Sequence, residues 1–250
     1  MRTGWERFGC WVVARNVYSS RSLEGSMVRC MGRGMVVVAH KANRRGLLLK
    51  YLKQGVEMIE FDVKLENGAL LVKHDLDVGS HSLRGLLMSY GYLLLEGRDP
   101  LFKPLTLEEY LRLVSGRAGV WLDLKSKGVE REAAALARAH GARTVVVSSG
   151  FHNTLRLARE GCRDALLMLG NVNYRPADPV KEVELASADG LSVSHEFVDK
   201  ELVEALHYVG YKVAVWTVND PKKALELVEL GVDYLITDRP EVMRRLVEHV

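Results

Sequence analysis

Two carboxylates lie in a stretch of sequence that otherwise has the pattern of a buried strand. Residues 58–63 are apolar except for Glu60 and Asp62, and a second short apolar run ends at His74 and Asp75. An unpaired charge in a protein core is costly, so these acids need a partner. Side chains two residues apart on a strand share a face. Glu60 and Asp62 are therefore predicted to project from one face, opposite the apolar residues.

A second predicted strand, 119–124, repeats this arrangement. Asp123 and Lys125 share one face of it, opposite apolar neighbours. If the apolar faces pack against helices, Glu60, Asp62 and Asp123 all point inward and repel one another unless positive charge lies among them. A divalent cation bound by oxygen ligands, Mg²⁺ or Ca²⁺, would provide that charge. Lys125 could instead balance part of it through a structural ion pair.

Two histidines stand at the ends of predicted strands. His40 ends the run 35–40, and His74 ends the short run after Asp62. Imidazole has an ordinary pKa suited to proton transfer near neutral pH. Either histidine could simply cap or pack a strand end, or it could transfer protons beside the three acids.

The elements that must position these residues alternate along the chain from residue 35 onward. We predict core strands at 35–40, 58–63, 119–124, 143–148, 164–169, 189–194, 211–218 and 233–237, with a short extra strand at 69–74. We predict helices at 43–54, 106–116, 128–140, 152–160, 177–186, 199–209, 221–230 and 240–248, and a long loop over 75–104.

This alternation indicates an α/β fold with a parallel sheet. Eight strand–helix units in about 215 residues predict a closed (β/α)₈ TIM barrel, whose functional residues lie at the carboxyl ends of the strands. A doubly wound open sheet is the alternative. The first strand-to-helix turn has no GxGxxG motif, which disfavours a dinucleotide-binding sheet.

The order of these motifs resembles the glycerophosphodiester phosphodiesterase family. The resemblance runs from about residue 36 to 245, through His40, Glu60-x-Asp62, His74-Asp75, "DLK" at 123–125, and the "VWTVN" and "LITDRP" segments within 210–240. It implies a (β/α)₈ barrel that uses a divalent metal to hydrolyse glycerophosphodiesters to glycerol 3-phosphate and an alcohol.

The resemblance also implies roles for individual residues. Metal ligands would be Glu60, Asp62 and Asp123; the general acid and base would be His40 and His74; phosphate or substrate contacts would be Lys41, Lys125 and Trp216. The chain departs from the family pattern at Lys41, where the family has Arg, and at Asp123, where it usually has Glu. A Pro-Glu-Asn-Thr-like loop motif is missing, and Asn43, Arg44 or Arg45 could supply substitute contacts.

These departures leave two other functions open. One is a lysophospholipase D-like phosphodiesterase, for which the apolar stretch 86–95 is the candidate entrance. The other is a non-catalytic barrel that binds a phosphoryl ligand. Assays with lysolipids against deacylated substrates separate the first from the leading hypothesis.

Bulk composition fits this reading. The chain has 250 residues, 48% hydrophobic, which is typical of a soluble protein with one large core, and no apolar run approaches a membrane span.

Residues 1–34 hold six arginines and two glutamates, so we interpret them as a basic extension, flexible or produced by an early start assignment, ahead of a single catalytic barrel at 35–250. The near-neutral remainder gives no indication of nucleic-acid binding. Three dispersed cysteines suggest a cytoplasmic setting, and the oligomeric state stays open.

Overall fold

Strands and helices alternate through the computed structural model, which describes residues 34–73 and 104–248. The described strands are β1 (Val36–Ala39), β2 (Met58–Glu66), β3 (Ala69–Val72), β4 (Gly119–Leu124), β5 (Val145–Ser149), β6 (Leu166–Val172), β7 (Gly190–Ser194), β8 (Lys212–Trp216) and β9 (Tyr234–Thr237). The described α-helices are α1 (Arg45–Lys53), α2 (Leu107–Val114), α3 (Glu130–Ala139), α4 (Ala158–Gly161), α5 (Pro179–Leu185), α6 (Lys200–Tyr208), α7 (Pro221–Glu229) and α8 (Pro240–Val247).

Eight of these strands form a closed parallel barrel. The hydrogen-bonded order is β1-β9-β8-β7-β6-β5-β4-β2, and β1 also pairs with β2, which closes the ring. The short β3 pairs antiparallel with β2 and extends it outside the barrel. The predicted (β/α)₈ barrel is therefore confirmed, and the open-sheet alternative is wrong.

The two faces of the strands bury different side chains. Ile59, Phe61 and Val63 of β2 are fully buried in the large cluster beneath the helices. A smaller apolar cluster fills the barrel interior, and its buried members are Val38, Met58, Trp121, Val146, Met168, Ala214 and Ile236. Each fully buried large apolar side chain contributes about 1.5–3 kcal/mol. The predicted period of two in β2 and β4 is confirmed, so their acids point inward.

Helix α2 begins as its sequence predicts. The hydroxyl of Thr106 accepts from the backbone N–H of Glu109 at 3.2 Å, and the Glu109 carboxylate accepts from the backbone N–H of Thr106 at 2.9 Å. This reciprocal capping box satisfies two backbone donors at the helix start. The capping box fixes the residue at which α2 begins, ahead of β4.

The predicted helix over 152–160 is wrong in extent. Leu155–Leu157 forms a 3₁₀ turn, and α4 is a single turn at Ala158–Gly161. Helix α4 packs closely against α3 because residue 161 has no side chain. Helical periodicity in a sequence does not report such a close approach between backbones.

Replacing Gly161 with alanine is expected to lower the free energy of unfolding by about 1–3 kcal/mol. An added Cβ would overlap the carbonyl oxygen of Arg131 and lie 2.8 Å from the backbone nitrogen of Ala135, both in α3. Urea unfolding measures the change. The matched control is Gly46→Ala in α1, where a Cβ meets nothing within 4 Å; it is expected to stabilise by about 0.5–1 kcal/mol. Equal unfolding midpoints for the two variants would contradict this account.

Several sequence predictions lie outside the described residues. These are the N-terminal extension up to residue 33, His74, the loop over 75–103 and the apolar stretch 86–95. They stay predictions, as does the division into an extension and a barrel domain. Within the described ranges, no helix combines the length and the apolar character needed to cross a membrane.

Candidate active site

A cavity of about 210 Å³ opens where the barrel strands end. Every predicted site residue in the described part of the chain lines it: His40, Lys41, Glu60, Asp62, Asp123, Lys125 and Trp216. Its position is the one at which barrels of this class carry their functional groups.

The three predicted metal ligands lie together on one side of this cavity. Oxygen atoms of Glu60, Asp62 and Asp123 are all within 4.8 Å of one another. Strands β2 and β4 bring them together because Asp62 and Asp123 are direct partners in the parallel ladder. Glu60 and Asp62 are 4% and 1% exposed, so little water screens their repulsion.

Lys125 supplies positive charge to two of these acids. Its Nζ lies 3.1 Å from Asp62 Oδ1 and also contacts Asp123 Oδ2. Burial lowers the pKa of Lys125, but the charges of Asp123 and Asp62 outweigh burial and raise it. The ion pair suggested by the sequence is therefore present, and Lys125 remains charged at neutral pH.

One ammonium group does not neutralise three carboxylates. Burial, reinforced by the charge of Asp62, raises the pKa of Glu60 to about 8. Burial also raises the pKa of Asp123 despite the opposing effect of Lys125. With all three acids ionised, the cluster would have excess negative charge, and it offers only oxygen ligands. These properties fit a hard divalent cation.

The loop after β1 holds two of the acids in place. The backbone N–H of Lys41 donates to Glu60 Oε2 at 2.6 Å, from a left-handed conformation with φ 47° that is uncommon for a residue with a side chain. Asn43 Nδ2 donates to Asp62 Oδ2 at 2.6 Å, and the backbone N–H of Asp62 donates to Asn43 Oδ1 at 2.8 Å. The sequence suggested Asn43 as a substitute substrate contact; in the structure it orients Asp62.

His40 is oriented by a residue that sequence reasoning did not assign. Its Nδ1 is 2.7 Å from Asp238 Oδ1, and its Nε2 is 4.0 Å from Glu60 Oε2 on the cavity side. Asn219 donates to Asp238 Oδ2 at 2.7 Å and accepts from the Asp238 backbone N–H at 3.0 Å. Asp238 thereby favours a proton on Nδ1 and leaves Nε2 facing the cavity.

The hydrogen bond between His40 and Asp238 also changes the proton affinity of both groups. Burial lowers the pKa of His40, but the hydrogen bond to Asp238 and the charge of Glu60 together outweigh burial, and the pKa lies above its ordinary value. The hydrogen bond from His40 in turn lowers the pKa of Asp238. The contact with Asp238 thus favours the protonated form of the His40 imidazole.

Polar groups on the remaining strands extend the cavity. Trp121 Nε1 donates to Ser148 Oγ at 2.8 Å, and Ser148 Oγ donates to Asp123 Oδ1 at 3.1 Å. Asn171 and Ser192 also line the cavity. Sequence reasoning missed these three polar residues, although Ser148 and Ser192 lie at the inward positions near the ends of predicted strands.

Comparisons with known proteins agree on one family. The model of the glycerophosphoryl diester phosphodiesterase family matches residues 115–242, just over half of the chain. A glycerophosphodiester phosphodiesterase of Bacillus altitudinis is 28% identical over 212 residues, which cover 76% of this chain and 86% of that protein.

Solved structures share the fold at low sequence identity. A phosphodiesterase from Oleispira antarctica, in complex with the product sn-glycerol-3-phosphate, has a TM-score of 0.70 at 22% identity and covers 85% of this chain and 96% of its own. A glycerophosphodiester phosphodiesterase from Parabacteroides distasonis has a TM-score of 0.65 at 22% identity, with 86% and 98% covered. With its (β/α)₈ barrel and a family match over more than half of its length, this chain belongs to the glycerophosphoryl diester phosphodiesterase family of phosphoric diester hydrolases.

Proposed function

We propose that this protein hydrolyses glycerophosphodiesters to glycerol phosphate and an alcohol. One observation carries the proposal: Glu60, Asp62 and Asp123 converge beside His40 on a single cavity at the carboxyl ends of the strands. Membership of the family supplies the reaction class, and this cluster supplies groups that suit it.

We infer that Glu60, Asp62 and Asp123 hold a divalent cation, Mg²⁺ or Ca²⁺. Such an ion polarises phosphoryl oxygens and offsets the negative charge that develops on them. Lys125, between Asp62 and Asp123, would add a fixed positive charge near those oxygens. Asn43 and the Lys41 backbone N–H keep Asp62 and Glu60 aligned.

We assign proton transfer to two histidines, His40 and His74. His40 offers Nε2 to the cavity while Asp238 holds Nδ1. The family resemblance assigns the partner role to His74, which lies outside the described residues. One imidazole would deprotonate the nucleophile, water or a neighbouring substrate hydroxyl, and the other would protonate the departing alkoxide. Lys41 and Trp216 both line the cavity. The Lys41 side chain would contact the phosphate, and Trp216 would form part of the wall around the substrate.

A small panel of diesters tests this proposal. Purified protein is expected to release glycerol phosphate from glycerophosphocholine or glycerophosphoglycerol in the presence of Mg²⁺, Ca²⁺ or Mn²⁺, and to stop when a chelator is added. Lysophosphatidylcholine, assayed in parallel, distinguishes the lysophospholipase D-like alternative, which predicts faster release of choline from the lysolipid. Absence of turnover on every substrate and metal would favour a non-catalytic binding barrel and contradict the proposal.

A further inference from the structure

Strand β6 contains a β-bulge at the edge of the cavity. In the ladder with β7, Leu169 pairs with Leu191 and Val172 pairs with Val193, so Gly170 and Asn171 together face Ser192. Two residues opposite one is the arrangement of a bulge, which redirects a side chain and is common beside active sites. Here it turns Asn171, with φ 58°, toward the cavity that this residue lines.

Two neighbouring glycines leave room for this arrangement. A Cβ on Gly170 would lie 2.9 Å from the backbone nitrogen of Ser149, so a side chain does not fit there. A Cβ on Gly150 would lie 3.0 Å from Asn171 Nδ2, so glycine leaves room for the amide. His152 Nε2 lies 3.0 Å from the carbonyl oxygen of Gly170, within hydrogen-bonding distance of the bulge. These residues therefore accommodate the bulge and leave space for the Asn171 side chain.

Asn171 lies across the barrel from the proposed chemistry. In the strand order, β6 is four strands from β1 in either direction, and β1 ends at His40. The side chain of Asn171 is exposed to the cavity, and within the described ranges its amide has no hydrogen-bond partner. Ser192, opposite the bulge, places a hydroxyl on the same wall. This wall is polar and carries no charge at Asn171 or Ser192.

We propose that Asn171 and Ser192 form a subsite for a hydroxyl group of the polyol part of the substrate. The inference rests on the proposed function, because a phosphate held near Glu60 and His40 leaves the rest of the diester to extend across the cavity. An amide and a hydroxyl recognise a neutral hydroxyl by hydrogen bonding. The hydroxyl belongs either to the glycerol phosphate half or to the departing alcohol.

Ligand binding to the full-length protein in the presence of Mg²⁺ tests whether the recognised hydroxyl belongs to the glycerol phosphate half of the substrate. The probes are sn-glycerol 3-phosphate and n-propyl phosphate, which lacks hydroxyl groups. Asn171→Gly removes the amide and accepts the left-handed backbone; it is expected to weaken glycerol 3-phosphate about fivefold and to leave propyl phosphate unchanged. The matched control is Asn67→Gly, the same replacement at φ 50° in the exposed turn between β2 and β3. Ser192→Ala is the second variant, and it is also expected to weaken the binding of glycerol 3-phosphate but not that of propyl phosphate.

Hydrolysis rates test whether the recognised hydroxyl belongs to the departing alcohol. If the hydroxyl belongs to the departing alcohol, Asn171→Gly lowers kcat/KM about fivefold for glycerophosphoglycerol but not for glycerophosphoethanol, and glycerol 3-phosphate binding stays constant. Either selective loss supports the subsite. Equal weakening of propyl phosphate and glycerol 3-phosphate indicates a purely structural role and overturns it. Active wild-type protein with no selective loss in the Asn171 and Ser192 variants overturns this inference alone. Wild-type protein that neither binds nor turns over any probe overturns the proposed function as well.

Discussion

Glu60→Gln is expected to lose divalent-cation binding and to lower kcat/KM by at least about 100-fold. The replacement keeps the size of the side chain and an oxygen that can accept from the Lys41 backbone N–H, but it removes one of three converging carboxylate charges. Calorimetric titration with Mg²⁺, Ca²⁺ and Mn²⁺ measures the loss independently of activity. Hydrolysis of glycerophosphocholine measures the effect on the reaction.

Thermal unfolding of the same variant provides a control against simple misfolding. Burial and the charge of Asp62 raise the pKa of Glu60 to about 8. At neutral pH, folding without metal therefore requires this carboxyl to take up a proton that it does not hold in the unfolded chain, which destabilises the metal-free fold. In a chelating buffer at neutral pH, Glu60→Gln is therefore expected to unfold at a higher temperature than wild type. Added cation should then stabilise wild type only. A variant that still binds the cation as wild type does would contradict the assignment of Glu60 as a ligand.

His40→Asn is expected to lower kcat by about 10²–10⁴, the usual contribution of a general acid or base. Nε2 is the ring atom that faces the cavity, so its removal leaves the reaction without one proton-transfer group. Cation binding should persist, because all three proposed ligand residues remain. Steady-state kinetics and calorimetry on the same preparation separate these two outcomes.

Asp238→Asn is the comparison for this variant. It leaves the imidazole in place but replaces the charged carboxylate, 2.7 Å from Nδ1, with a neutral amide, so its loss in kcat should be smaller than that of His40→Asn. If His40→Asn retained the wild-type kcat, the general acid–base assignment of His40 would be wrong. Loss of cation binding in His40→Asn would instead show that the variant disturbs Glu60.

The inward direction of the carboxylates could be predicted from the sequence because alternate side chains of a strand lie on opposite faces. When the apolar face is buried against helices, the other face points into the barrel. Glu60, Asp62 and Asp123 follow this rule, and the apolar residues between them are buried outside the barrel. The parallel barrel itself followed from the alternation of strands and helices. These are local patterns, and local patterns are what one sequence displays.

Features that depend on distant parts of the chain could not be predicted in this way. Asp238 meets His40 only because β9 pairs with β1, and the two residues are 198 positions apart. The bulge at Gly170 and Asn171 depends on register with β7. The sequence suggested an ion pair of Lys125, but the contact of Lys125 with both Asp62 and Asp123 depends on the alignment of β2 and β4 at those two acids. A single sequence contains no record of register between strands.

Closure of the barrel by its first and last strands has a consequence during translation. Strand β2 gives β1 one neighbour early, but the other neighbour, β9, leaves the ribosome only after the other seven barrel strands have been made. A nascent chain that ends before β9 already contains Glu60, Asp62 and Asp123 but lacks Asp238. The contact between His40 and Asp238 can therefore form only after β9 has been made, so a chain that stalls or is cut before β9 would retain the acidic residues but lack this contact.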